Sequence, residues 1–166
     1  FDIPNLTRVN FPLAVEKAVK TYLPGCESFA AFRDAAAQCI REECLAAVDR
    51  MNRSPVSVSP YLSVFVDDCI ERGLDLACGG AVYANYGAHG VGIAPAADSI
   101  AAVKQAVFDD KKCSAEELLE ALDKNFEGFS ELRNYLQGCP KMGNNDDAAD
   151  EWGSFIMDIF CDVFRA

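Results

Sequence analysis

The chain has 166 residues, a formal net charge of −11 at pH 7 and 51% apolar residues. That is one domain's worth of sequence, or one piece of a larger domain, with enough apolar residues for a core, and no run is long enough to cross a bilayer. Basic residues scattered among more numerous acids exclude a nucleic-acid partner and disfavour an anionic membrane surface, leaving a cytoplasmic protein as the expectation.

Taken in chain order, Asn10 caps a first predicted helix over 11–23, with Pro12 in its first turn and Pro24-Gly25 ending it. Ser28 opens a long helix over 28–52. Its apolar positions Phe29, Phe32, Ala36, Ile40, Cys44, Val48 and Met51 keep 3–4 spacing. At full length it would run roughly 36 Å, more than a small compact domain encloses comfortably. A Ser, Pro and Val loop over 53–59 leads to Ser59-Pro60, an N-cap pair opening a helix to Gly73.

Then comes the segment 79–94, which packs five glycines, two tyrosines and the only histidine into sixteen residues. Glycine is dense only where backbone turns through positive φ or comes close to something else. Within it, Ala81–Tyr86 reads as a short strand or an extended loop. Further helices are predicted over 95–109, over 115–124 behind the Ser114 capping box, from Ser130 to Gln137, and from Asp147 to the end. The last carries Trp152, Phe155, Ile156, Ile159, Phe160, Val163 and Phe164 on one face. Burying four such side chains contributes roughly 6–12 kcal/mol, so the other helices here or further polypeptide must cover them.

Eight cysteines suggest a metal or disulfide framework until their spacing is read: none forms a CxxC pair, and one histidine serves them all. Most of them read as reduced core thiols, and no metal site is expected. Asp67, Asp68 and Glu71 fit the solvated side of a helix, and Asp146, Asp147 and Asp150 fit capping better than a calcium loop. His89 in its flexible frame is either a catalytic or substrate-contacting residue or a structural one, and Tyr83 and Tyr86 suit a half-buried strand equally well.

The order of short motifs carries more than any one of them. Asp68-Cys69-Ile70-Glu71-Arg72-Gly73-Leu74-Asp75 is followed by Gly79-Gly80-Ala81-Val82-Tyr83, Asp98-Ser99-Ile100-Ala101-Ala102-Val103-Lys104, Asn125-Phe126-Glu127-Gly128 and Pro140-Lys141-Met142-Gly143-Asn144-Asn145-Asp146-Asp147 with Asp150. This series resembles the glycyl radical enzymes, the pyruvate formate-lyase-like superfamily, whose runs look like DCIExGxD, GGAxYN, DSLAAIKxxVF, NFEG and PKYGNDDDxVD. The resemblance covers about 60–160 and extends more loosely back to Phe11. Ala84 replaces the Asn of GGAxYN, with Asn85 next. Met142 replaces the usual Tyr of the last motif, and Asn145 one of its Asp residues.

The resemblance implies a ten-stranded α/β barrel, of which this chain is a mainly α segment with short strand pieces: outer helices in 1–58, motif-bearing part in 59–166. It also implies a glycyl radical, installed by an iron–sulfur activating enzyme that uses S-adenosylmethionine, together with a homodimer and a small-molecule substrate that is cleaved or dehydrated. The family's GCVEP-like and RVAGY-like motifs do not occur here, so no residue of this chain matches the radical Cys or Gly. The chain reads as an internal portion, inactive by itself; the start at Phe1 rather than Met suits a processed end or an internal fragment. Near the substrate, the resemblance makes Tyr83, Asn85, Tyr86 and His89 candidate pocket contacts; otherwise Tyr83 is barrel core and His89 holds its loop. A different reading makes the chain a non-catalytic helical binding or scaffold module derived from the family.

Overall fold

The computed structural model describes residues 7–53, 57–83 and 87–165. Helices dominate: α1 (Phe11–Tyr22), α2 (Phe29–Arg53), two single turns α3 (Pro60–Ser63) and α4 (Cys69–Arg72), α5 (Ile93–Val103), α6 (Ala115–Asp123), α7 (Ser130–Gly138) and α8 (Asp147–Arg165). Two four-residue strands, β1 (Thr7–Asn10) and β2 (Ala88–Val91), pair into a small parallel sheet. Among the described residues no helix is long and apolar enough to cross a membrane. The chain divides into two compact units, the larger holding Val9–Leu45 and Gly90–Ala166, the smaller Ala46–His89 with the residues up to Arg8.

The larger unit is built by helix faces. The Asn10 side chain accepts from the Leu13 N–H at 3.2 Å and starts α1, which buries Phe11, Ala14, Val15, Ala18 and Val19. In α2, Phe32, Ala36, Cys39, Ile40 and Cys44 are buried while Leu45 is 54% exposed, as 3–4 spacing requires of a helix covered on one side. The last helix, α8, packs on α5 and buries Ala149, Trp152, Ile156 and Ile159. Edge-on ring contacts join it to α2 (Trp152 with Phe29, 5.2 Å) and to α1 (Phe160 with Phe11, 5.8 Å). The helices of this chain therefore cover Trp152, Ile156 and Ile159, while Phe155, Phe160, Val163 and Phe164 on the same face stay half-buried. Among the described residues the buried indole N–H of Trp152 has no hydrogen-bond acceptor.

Two elements depart from their predicted form. The helix expected over 60–73 is broken after Ser63: bonds tighten to a three-residue spacing (Phe65 N–H to Leu62 O, Val66 N–H to Ser63 O), and Asp68 takes a left-handed φ of 74° before α4 restarts. The side chains that would have formed one stripe thus separate, with Val66 and Cys69 buried and Tyr61, Val64, Phe65 and Ile70 exposed. The helix expected over 95–109 ends its α geometry at Val103 and continues as a π-helical turn, Lys104–Asp109. Five-residue spacing then stacks Lys104 on Asp109 (2.7 Å) and Gln105 on Asp110 (3.2 Å). The strand of the glycine-rich segment lies at Ala88–Val91; Ala81–Tyr83 form a bend, and 84–86 lie outside the described residues.

Because Phe32 is fully buried, Phe32→Ala should cost about 3–5 kcal/mol. Leu45→Ala on the outer face of the same helix should stay within about 0.5 kcal/mol. Denaturant midpoints of the two variants provide the comparison.

Candidate functional site

The glycine-rich segment is positioned by the turn before it, and that turn is organised by one carboxylate. Asp75 ends the Gly73-Leu74 reversal and caps a short 3₁₀ turn, Leu76–Cys78, by accepting the Ala77 N–H at 2.8 Å. Its other oxygen accepts the Ser59 N–H at 2.9 Å and lies 2.9 Å from the Ser63 hydroxyl. That hydroxyl also reaches the Ser59 carbonyl at 2.8 Å and accepts the Leu76 N–H at 2.9 Å. A charged acceptor held by several donors makes hydrogen bonds stronger than neutral ones. The same donors, first the Ala77 N–H and then the Ser63 hydroxyl and Ser59 N–H, hold the Asp75 carboxyl below its usual value of 3.8 against the opposing effect of desolvation. A carboxylate so fully engaged is a brace for the turn, not a free base.

Two further contacts carry the chain from this brace into the glycines. Arg72 donates to the Gly80 carbonyl at 3.2 Å, and Asp68 accepts the Val82 N–H at 3.3 Å. Gly80 has no room for a side chain: a Cβ would sit 2.7 Å from Cys69 Sγ and 2.9 Å from the Asp75 carbonyl, and would overlap the Leu74 carbonyl. At the other end, a Cβ on Gly90 would lie 2.7 Å from the Phe11 ring. Close approach therefore explains glycine at both ends of the segment. Under the turn lies a small apolar cluster of Val66, Cys69, Leu76 and Ala81.

The candidate contact residues sit between these anchors. Tyr83 is 83% exposed, and His89 is exposed on β2. Asn85 and Tyr86 lie outside the described residues. Around Tyr83 in sequence the smaller unit exposes further apolar side chains, among them Val82 and the ring pair Tyr61–Phe65 at 5.3 Å. Sequence reading placed Asp75 inside a motif without giving it a role. Its signal was the Asp-x-Ala spacing of an Asx turn ahead of two glycines.

Asp75→Asn should loosen the turn, read as a several-fold loss of hydrogen-exchange protection at the Ser59 and Ala77 amides. Since the folded carboxyl titrates below 3.8, the stabilisation is present above that pH and is lost as pH falls through the folded value. The difference between the parent and Asp75→Asn should shrink over that acid range and stay constant above pH 5.

The motif-bearing chain has close relatives of known kind. The family model described as pyruvate formate lyase-like matches residues 24–166. Trans-4-hydroxy-L-proline dehydratase of Clostridioides difficile is 50% identical over 102 residues, 61% of this chain and 12% of that protein. The (2S)-3-sulfopropanediol dehydratase of Klebsiella oxytoca is 38% identical over 104 residues, again 61% of this chain and 13% of the relative. Among solved structures, the glycerol-bound B12-independent glycerol dehydratase of Clostridium butyricum superposes with a TM-score of 0.79 at 26% identity, covering 96% of this chain and 24% of that one. The C. difficile hydroxyproline dehydratase with its substrate bound gives 0.78 at 30% identity, covering 94% and 22%. The chain thus spans about an eighth of the curated relatives and under a quarter of the solved structures. With a family model matched over most of its length and relatives that share its motifs, the chain belongs to the pyruvate formate lyase-like family of glycyl radical enzymes.

Proposed function

We propose that this chain is a segment of the barrel domain of a glycyl radical enzyme that dehydrates or cleaves a small polar metabolite. The observation that carries this reading is the 50% identity to a dehydratase across the motif-bearing stretch, set within a family match over 24–166. The outer helices occupy 1–58 and the motifs 59–166. A glycyl radical, installed by an S-adenosylmethionine iron–sulfur activating enzyme, would supply hydrogen abstraction from residues outside these 166. Within them, Tyr83, Asn85, Tyr86 and His89 touch the substrate, and the Asp75 brace sets the direction in which they leave the turn. The exposed apolar side chains of the smaller unit suit a surface that the rest of a barrel covers. The complete enzyme is a cytoplasmic homodimer, and the 166-residue chain alone is inactive.

In the complete enzyme, Tyr83→Phe or His89→Ala should lower turnover tenfold or more while leaving the yield of glycyl radical, measured by electron paramagnetic resonance, unchanged. Unaltered kinetics in both variants would remove these residues from the substrate pocket. The 166-residue chain treated with the activating enzyme should show no radical signal.

A second reading, a non-catalytic helical module, is favoured by one observation: the larger unit itself buries Trp152, Ile156 and Ile159 on the apolar face of α8. The intact mass of the native polypeptide separates the two. A mass several times 18.0 kDa supports the enzyme, and a mass of 18 kDa supports the module.

A further inference from the structure

The larger unit contains a cavity of about 400 Å³. It opens between α1, α5, α6 and α7, and its volume falls in the range of small-ligand sites. The walls are apolar, formed by Val15, Val19, Leu118, Leu122, Phe126 and Leu136. Four charged side chains border it: Glu16, Asp98, Arg133 and Lys141.

Their pairing is unequal. Glu16 is in an ion pair with Lys20 at 2.6 Å, and Asp98 accepts the Met142 N–H at 2.7 Å. Both acids are thus engaged. Lys141 points its ammonium at backbone carbonyls, those of Cys139 at 2.5 Å and Leu136 at 3.3 Å, which fixes its place without neutralising it. Among the described residues Arg133 has no carboxylate partner, although acids outnumber bases 26 to 15 in the chain. In so acidic a protein, two cations without carboxylate partners at the border of an apolar cavity select an anion carried on an apolar body. A guanidinium matches a carboxylate through two parallel hydrogen bonds, and the cavity walls match a short hydrocarbon chain.

We propose that this cavity binds a small apolar monocarboxylate, its chain against Val15, Leu118 and Leu136 and its carboxylate at Arg133 and Lys141. The site is separate from the reading of the radical enzyme and stands or falls without it.

The test is calorimetric titration of the intact protein with octanoate, and with octan-1-ol as the same body without the charge. Octanoate should bind with one-to-one stoichiometry and at least tenfold more tightly than the alcohol. Arg133→Met and Lys141→Met, which keep the aliphatic stems and remove the charges, should each weaken octanoate fivefold or more without changing the thermal midpoint by more than a few degrees. The proposal is overturned by absence of saturable octanoate binding, as when further polypeptide fills the cavity. Equal affinity for acid and alcohol overturns it too, a comparison that needs no variant. So does octanoate binding unchanged in both folded variants.

Discussion

Burial of one face of α8 is the constraint on which the larger unit depends. Trp152, Ile156 and Ile159 are withdrawn from water against α5, and ring contacts extend the same face to α1 and α2. Each such side chain contributes roughly 1.5–3 kcal/mol by burial, far more than the exposed ion pairs on the surface of these helices. The Lys17–Glu42 pair at 2.7 Å, for example, joins two half-exposed groups and adds little. A turn tied at both ends delivers α8: Asp98 of α5 accepts the Met142 N–H, Asp150 of α8 accepts the Gly143 N–H at 2.7 Å, and Asp146 caps the helix through the Ala148 N–H.

The smaller unit is held by different physics. Its apolar cluster is only four residues, two of them small, and much of its remaining apolar surface faces outward. What fixes its path is the polar set around Asp75, with Arg72 and Asp68 extending it to Gly80 and Val82. Hydrogen bonds are directional where apolar contact is not. A segment that must present side chains in one direction, while burying little area itself, is suited to that kind of support.

The helices were legible where a single local signal agreed with burial. Asn10, Ser114 and the 3–4 spacing of α2 gave starts and faces that the structure reproduces within a residue or two. Reading failed where the backbone changed geometry without a sequence mark. The stretch 64–68 has no Gly or Pro, yet Asp68 turns left-handed, because the Ser63 hydroxyl and the cluster around Cys69 pull the two halves to different places. The π-turn after Val103 is likewise invisible to a periodicity that does not separate four-residue from five-residue spacing over six positions. Of the candidate site, the glycines were read for the right reason, close approach, while the carboxylate that aims the segment was passed over. Long-range hydrogen bonds such as Ser59 to Asp75 leave no periodic trace.

The placement of the cysteines gives the chain an unequal chemistry. Burial pushes the thiols of Cys26, Cys39, Cys113 and Cys139 up and that of Cys44 to about 11, so they stay protonated and slow to react at neutral pH. Cys69 is buried beneath the turn, and Cys161 is half-covered. Among the described residues, which include all eight cysteines, Cys78 alone is exposed, two positions before Gly80. A thiol-directed fluorophore or spin label would therefore concentrate at the entrance to the glycine-rich segment, turning a chain with eight cysteines into a nearly single-site reporter of how that segment moves.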